Sequence, residues 1–269
     1  MAIFYDTHAH LSYPDFADEL PKVIERAQAA GITKLISIAT DLESSQRTLL
    51  IAERFPNVFA VVGWHPSDAP EAPVDIRPAL RNLAQHPKVV ALGETGLDYY
   101  RLPSKKAGLT QADDEAYKKK QADLFRQHLE VAAELGLNCV IHQRDCLEDT
   151  LAVFEPFAKQ VRGVFHCFAN DAATMRRILG LGSLVSFTGI LTFKNGQNIR
   201  DTLAATPLDQ FMLETDSPFL APVPYRGKRC EPAYVKEISE VAAQVKGCSL
   251  EDLSAATCST AKQFFKRLS

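Results

Sequence analysis

Residues 4–10 read FYDTHAH, which sets Asp6, His8 and His10 two apart. On a β-strand, residues two apart share one face. Three ionisable groups on one face are costly to bury without partners, and neutral imidazole and carboxylate are the natural ligands of a divalent cation. The same residue types end other apolar runs: His65 in GWHP, Glu94 in LGETGLD, His142 in VIHQRD, His166 in VFHCF and Asp216 in LETDSP. Five of the chain's seven histidines fall in this set. The other two, His86 and His128, lie in helical patterns and read as surface or packing residues. One zinc-type site takes three or four protein ligands. Six candidates (His8, His10, Glu94, His142, His166 and Asp216) therefore point to two divalent ions, Mg2+, Mn2+ or Zn2+, sharing a bridging carboxylate or hydroxide. Glu94, from the middle of the strand order, is the expected bridge. Asp216 is the expected general base. Asp6, one step deeper than His8, is expected to hydrogen-bond a ligand.

Such a cluster needs elements that converge. Eight short β-rich runs are predicted, at 3–10, 34–40, 58–65, 89–96, 139–145, 163–168, 184–189 and 211–216. Amphipathic helical patterns lie between and after them, at 19–31, 45–55, 77–86, 117–136, 147–157, 172–182, 232–245 and 250–268. In the first, Leu20, Val23, Ile24 and Ala27 keep the i, i+3, i+4, i+7 spacing of one helix face, and Gly31 is a stop signal. Alternating strands and helices imply parallel strands with helical crossovers. Eight such units in 269 residues fit an α/β fold of the (β/α)8 TIM-barrel type, a single domain over 1–269. An open doubly wound sheet is the second choice, and the first βα turn lacks its Gly-rich fingerprint. In a barrel all eight strands end at one rim, where the candidate ligands would meet. The connection after the fourth strand is long and polar through residue 116, and the loop 101–116 is expected at that rim.

Hydrophobic residues make up 46% of the chain and charged residues 23%, with a net charge of −3. A chain that coats nucleic acid through its whole surface would be basic, so a phosphate-bearing substrate needs a local cluster. Arg226, Lys228 and Arg229 in PYRGKR are the best candidates, with Arg144 and Lys194 beside them. Tyr99, Tyr100, Phe193 and Tyr225 are candidate stacking partners for a base. The six cysteines have no paired spacing and read as reduced and buried. No apolar run reaches the roughly 20 residues of a bilayer span, and no signal peptide is evident. A cytoplasmic protein away from membranes is expected.

The segments DTHAH, LGETGLDYY, VIHQRD, GVFHCF, TGILTFKN, LETDSPFLAP and PYRGKRCEP, in this order, resemble the TatD family of metal-dependent deoxyribonucleases, within the amidohydrolase-like barrels. The resemblance runs from residue 3 to about 265. It implies a two-metal hydrolase of DNA phosphodiesters, a 3′-to-5′ exonuclease. By motif, His8, His10, Glu94 and Asp216 would hold one metal. Glu94, His142 and His166 would hold the other, and His65 would face the substrate. The expected partner is DNA, single-stranded or with frayed ends, acted on by a monomer. Three positions depart from the family pattern: Cys230 and Thr260 stand where asparagine is usual, and Gln143 follows the fifth-strand histidine. They bear on substrate contacts and the shape of the mouth, not on ligands. The alternative activity is hydrolysis of amide or ester bonds, such as those of D-aminoacyl-tRNA, for which a narrow apolar pocket would speak. A non-catalytic barrel with a structural metal is disfavoured by a ligand set at an open rim.

Overall fold

The computed structural model describes residues 2–105 and 107–268. Its eight strands are β1 (Phe4–Ala9), β2 (Ile32–Ile38), β3 (Val58–Val62), β4 (Val89–Asp98), β5 (Cys139–Arg144), β6 (Gly163–Phe165), β7 (Leu184–Phe187) and β8 (Phe211–Leu213). They pair in parallel, in sequence order, in one sheet. Between β8 and β1 the ring is closed by Thr7 Oγ1 donating to Leu213 O (3.0 Å), Asp216 N to His8 O (2.9 Å) and His10 N to Ser217 O (2.8 Å). The result is the expected (β/α)8 barrel. The long side of each strand–helix unit is built by α1 (Leu20–Ala29), α2 (Leu42–Arg54), α3 (Arg77–Leu83), α4 (Gln111–Leu135), α5 (Leu147–Phe154), α6 (Ala172–Gly180), α7 (Gln197–Ala205), α8 (Val235–Lys246) and α9 (Leu250–Phe264). Among the described residues, no helix is long and apolar enough to cross a membrane.

Burial follows the two periods. In α1, Leu20, Val23, Ile24 and Ala27 are buried, as their spacing predicts. The outer core lies between strands and helices, whereas Tyr5, Ile36, Ile38, Phe59, Val61, Val140 and Met212 fill the inside of the barrel. Helix α9 and the residues after it add Phe264, Phe265 and Leu268 to that inner cluster. The end of α9 and the residues after it hold the N-terminal ends of strands: Asn138 Nδ2 donates to Phe264 O (2.6 Å) and Arg267 Nη1 to Val89 O (3.2 Å). Thus α9 closes the floor, and the C-terminal rim stays open. Thr260, one of the departures from the family pattern, donates to Asp209 O (3.1 Å) on this floor.

Two features differ from the sequence expectation. Helix α7 was not foreseen, because its buried face is only Ile199, Thr202 and Leu203, too polar for a clear period. Helix α4 starts at Gln111, six residues before the predicted 117, so the loop after β4 spans 99–110 instead of running on to 116. Thr110 and Asp113 make its capping box, with Thr110 N donating to Asp113 Oδ2 (2.7 Å). Asp114 then pins the loop by accepting from Ser104 N (2.8 Å) and Ser104 Oγ (2.6 Å).

Candidate metal centre

Strand irregularities build the site. From Asp6 to Ala9, β1 advances three residues while its partner β2 advances two, from Leu35 to Ser37. From Leu92 to Thr95, β4 likewise gains one residue on β5, which advances from Cys139 to Ile141. Each is a β-bulge, a device that re-aims a side chain. The first bulge contains His8 and the second Glu94. Glycines make the second possible. Gly93, at φ 121°, lies so close to β5 that a Cβ would sit 2.4 Å from Val140 O, and at Gly96 (φ 137°) it would sit 2.0 Å from His142 O.

The bulge in β1 also corrects the expectation for Asp6. One extra residue reverses the alternation, so Asp6 falls out of phase with His8 and reaches no imidazole. Its Oδ1 accepts from His8 N (3.2 Å) and Thr215 N (2.9 Å), and its Oδ2 from Thr215 Oγ1 (2.6 Å). Burial pushes its carboxyl up to about 8 despite these bonds. Asp6 therefore ties β1 to the segment after β8.

The six candidate ligands converge at the rim. His8 Nε2 lies 3.4 Å from His10 Nε2, 3.3 Å from Glu94 Oε2 and 3.6 Å from Asp216 Oδ1. His10 Nε2 lies 3.7 Å from Glu94 Oε2 and 3.4 Å from Asp216 Oδ1. Four donors around an ion at zinc-type distances stand about 3.3–3.6 Å apart, so these edges fit a divalent cation. On the other side, Glu94 Oε1 lies 2.7 Å from His166 Nε2 and 2.9 Å from His142 Nδ1, and these nitrogens are 3.2 Å apart. Such edges match neighbouring positions of an octahedral ion, about 3.0 Å. Donor atoms of His8–Glu94–His166, His8–His10–Asp216 and His65–Glu94–His142 each lie within 4.8 Å of one another.

The opposite ring atoms explain how the imidazoles are aimed. His166 Nδ1 makes no hydrogen bond among the described residues, Glu214 Oε1 lying 3.6 Å away, whereas His142 Nε2 faces Asp98 Oδ2 (2.9 Å) and His10 Nδ1 faces Ile38 O (3.2 Å). An N–H held this way leaves the other nitrogen as a ligand and makes it more basic. Asp98 and Glu214 were missed in the sequence. Both lie in segments already singled out, LGETGLD and LETDSP, where a second carboxylate close to a ligand was the available signal. His65 is different. Its Nδ1 accepts from Ser67 N (3.1 Å), so Nε2 carries the proton and points at Glu94 Oε1 (3.3 Å). Burial pushes its pKa down, which keeps it neutral. It is thus a donor at the rim. His86 pairs with Glu53 (3.1 Å) away from the site. His128 is buried behind it, accepting from Trp64 N (3.0 Å).

Charge is shared unevenly. Burial alone would raise the Glu94 carboxyl, but His166, His65 and His8 outweigh it and hold the group well below the usual range. Burial likewise opposes protonation of His166, and Glu94 and Glu214 outweigh it and hold the ring well above 6.5. With no metal bound, this pairing contributes stability that is present in full below the unfolded value of about 6.5 and is lost as pH rises through the raised one. Metal uptake requires the ring neutral and so improves as pH rises. The gap between unfolding midpoints of metal-loaded and EDTA-treated protein is therefore expected to widen from pH 6 to pH 8.5 in thermal melts. A gap that narrows would contradict the assignment of His166.

The cavity over this centre has a volume of about 630 Å³ and is lined by His10, His65, Asp98, Arg101, Arg144 and Phe219, among others. Of the five cations expected at the substrate, only Arg144 lines it. Lys194 and Lys228 are exposed outside it. Arg226 donates to Ala221 O (2.8 Å) and lies over the Phe193 ring (3.8 Å). Arg229 is taken by the segment before α1, donating to Glu19 Oε1 (2.7 Å) and Asp15 O (2.5 Å). Arg101 lines the cavity and was not foreseen.

The family model described as TatD related DNase matches residues 5–266. The chain is 35% identical over 265 residues to an uncharacterized metal-dependent hydrolase, YabD, of Bacillus subtilis, covering 98% of this chain and 99% of that one. It is 31% identical over 268 residues to a protein of Erwinia amylovora named 3′-5′ ssDNA/RNA exonuclease TatD, covering 97% and 99%. Among solved structures, the TatD homologue YjjV of Escherichia coli superposes with a TM-score of 0.88 at 25% identity, covering 98% of both chains.

Proposed function

The chain belongs to the TatD family of metal-dependent hydrolases, and on that premise we propose that it hydrolyses phosphodiester bonds at the ends of DNA strands, as a 3′-to-5′ exonuclease with two divalent ions. One observation carries the reading: the two oxygens of Glu94 face different imidazoles, Oε2 those of His8 and His10, which Asp216 also meets, and Oε1 those of His142, His166 and His65. His8, His10, Glu94 and Asp216 would hold one ion, and Glu94, His142 and His166 the other. When bound, a pair of such ions lowers the pKa of a water toward neutrality and offsets charge on a phosphoryl oxygen. The chain's own groups do the rest. Asp216 takes a proton from the attacking water. Burial opposes its ionisation, but the hydrogen bond with His10 and the charges of His8 and His10 outweigh it and hold the carboxyl below its usual value, so it is ionised at neutral pH. The His65 Nε2–H donates to a phosphoryl oxygen, and Arg101 and Arg144 receive phosphates of the strand. The relative named as an exonuclease of single-stranded DNA and RNA supports this substrate class.

The test is an assay of metal-reconstituted protein on end-labelled single- and double-stranded DNA, with charged D-aminoacyl-tRNA in parallel. Stepwise shortening of the single strand from its 3′ end, abolished by EDTA and restored by Mn2+, is expected. Intact DNA beside rapid deacylation of the tRNA would overturn the reading.

A further inference from the structure

The aromatic residues first expected to meet a base are engaged elsewhere. Tyr99 Oη donates to Asp149 Oδ2 (2.8 Å), and Tyr100 lies under the Arg144 guanidinium (3.6 Å). Phe193 lies under Arg226 (3.8 Å), and Tyr225 stacks on Tyr234 (4.0 Å). Phe219 was not among them. It lines the cavity and is 51% exposed. Its backbone is tied to the centre, because Phe219 N donates to Asp216 O (2.9 Å) in the turn that carries that candidate ligand. It meets the rings of His10 (6.2 Å) and Tyr13 (6.1 Å) in T-shaped contacts and is stacked on neither. Ile190 and Leu220 extend the same apolar wall.

The barrel sets a second wall against this one. In an eight-stranded ring in sequence order, the ends of β4 and β5 face the ends of β8 and β1. On the β4–β5 side stand Arg101 and Arg144. The mouth therefore offers a flat apolar surface on one side of the candidate centre and guanidinium groups on the other. A ligand that complements both has an aromatic part and an anionic part a few bonds apart, which describes a nucleotide.

We propose that Phe219 is the stacking platform for the terminal nucleobase of a nucleic-acid strand, with the backbone leaving across the centre toward Arg101 and Arg144. This rests on the nuclease reading for its substrate class. Stacking on an aromatic side chain tolerates any base, since every base has a π-face. The site would hold a strand end without reading its sequence.

The experiment measures binding and hydrolysis separately. Binding of labelled hexathymidylate is followed by fluorescence anisotropy, with EDTA-treated and metal-reconstituted protein in parallel. Matched oligonucleotides carry an abasic residue at the 3′ or the 5′ end. Wild-type protein is expected to bind the intact strand about tenfold more tightly than one of the two terminal-abasic strands. Phe219→Ala should bring that ratio close to one, Phe219→Trp should preserve it, and Phe219→Leu, apolar but without a flat face, should keep only a small part. Arg144→Ala should weaken binding of intact and abasic strands alike and leave the ratio unchanged. Equal binding of intact and abasic strands by the wild type, or an unchanged ratio in Phe219→Ala, overturns the proposal. Base-dependent binding without shortening of the strand would keep the platform and dismiss the nuclease. Shortening without base-dependent binding would do the reverse.

Discussion

Glu94→Gln is expected to leave the barrel folded and to lower hydrolysis by at least about 10³-fold. The argument is geometric. The carboxylate is 3% exposed and presents one oxygen to each group of imidazoles. An amide has a single acceptor oxygen and no charge, so one group loses its donor outright and the centre loses the negative charge that its imidazoles share. Metal content, measured by mass spectrometry after reconstitution, should fall together with activity, while circular dichroism stays that of the wild type. Glu94→Asp keeps the charge on a shorter arm and should recover part of the metal. A Glu94→Gln protein with full metal and full activity would remove the bridging role.

The second large effect concerns Asp216. Its side chain is 15% exposed, against 0–4% for His8, His10 and Glu94 around it, so it is the member of this group open to incoming water. Asp216→Asn is expected to lower kcat by about 10²–10⁴-fold while KM for a single-stranded oligonucleotide changes little. The backbone argues that the loss is chemical. Asp216 has φ 57°, in the left-handed region that asparagine enters as readily as aspartate. Its N–H to His8 O and its C=O from Phe219 N survive the substitution. Asp216→Ala at the same φ adds backbone strain, so the asparagine variant is the cleaner comparison. Retention of kcat in Asp216→Asn, with metal bound, would rule out its role as the base.

The sequence by itself determined the architecture and which imidazoles and carboxylates would meet at one rim. Imidazoles and carboxylates at the ends of apolar runs conflict with their context, and the shared rim of a barrel gives them one another as partners. Eight alternating units fixed which rim. The tertiary structure decided what depends on pairing across the chain. A period of two places Asp6 with His8, but the bulge is a property of β1 against β2, and it sends Asp6 to Thr215, 209 residues away. Asp98 became the support of His142 only when β4 met β5, and Glu214 came within 3.6 Å of His166 only when the closed ring brought the ends of β6 and β8 to one rim. Arg229 reads as a phosphate ligand in PYRGKR, yet Glu19, 210 residues earlier, lies nearer and takes its charge. Phe219 looks like any apolar residue in its motif. Only the closure of β8 on β1 leaves its ring uncovered at the mouth, because exposure belongs to the packed surface and not to the residue.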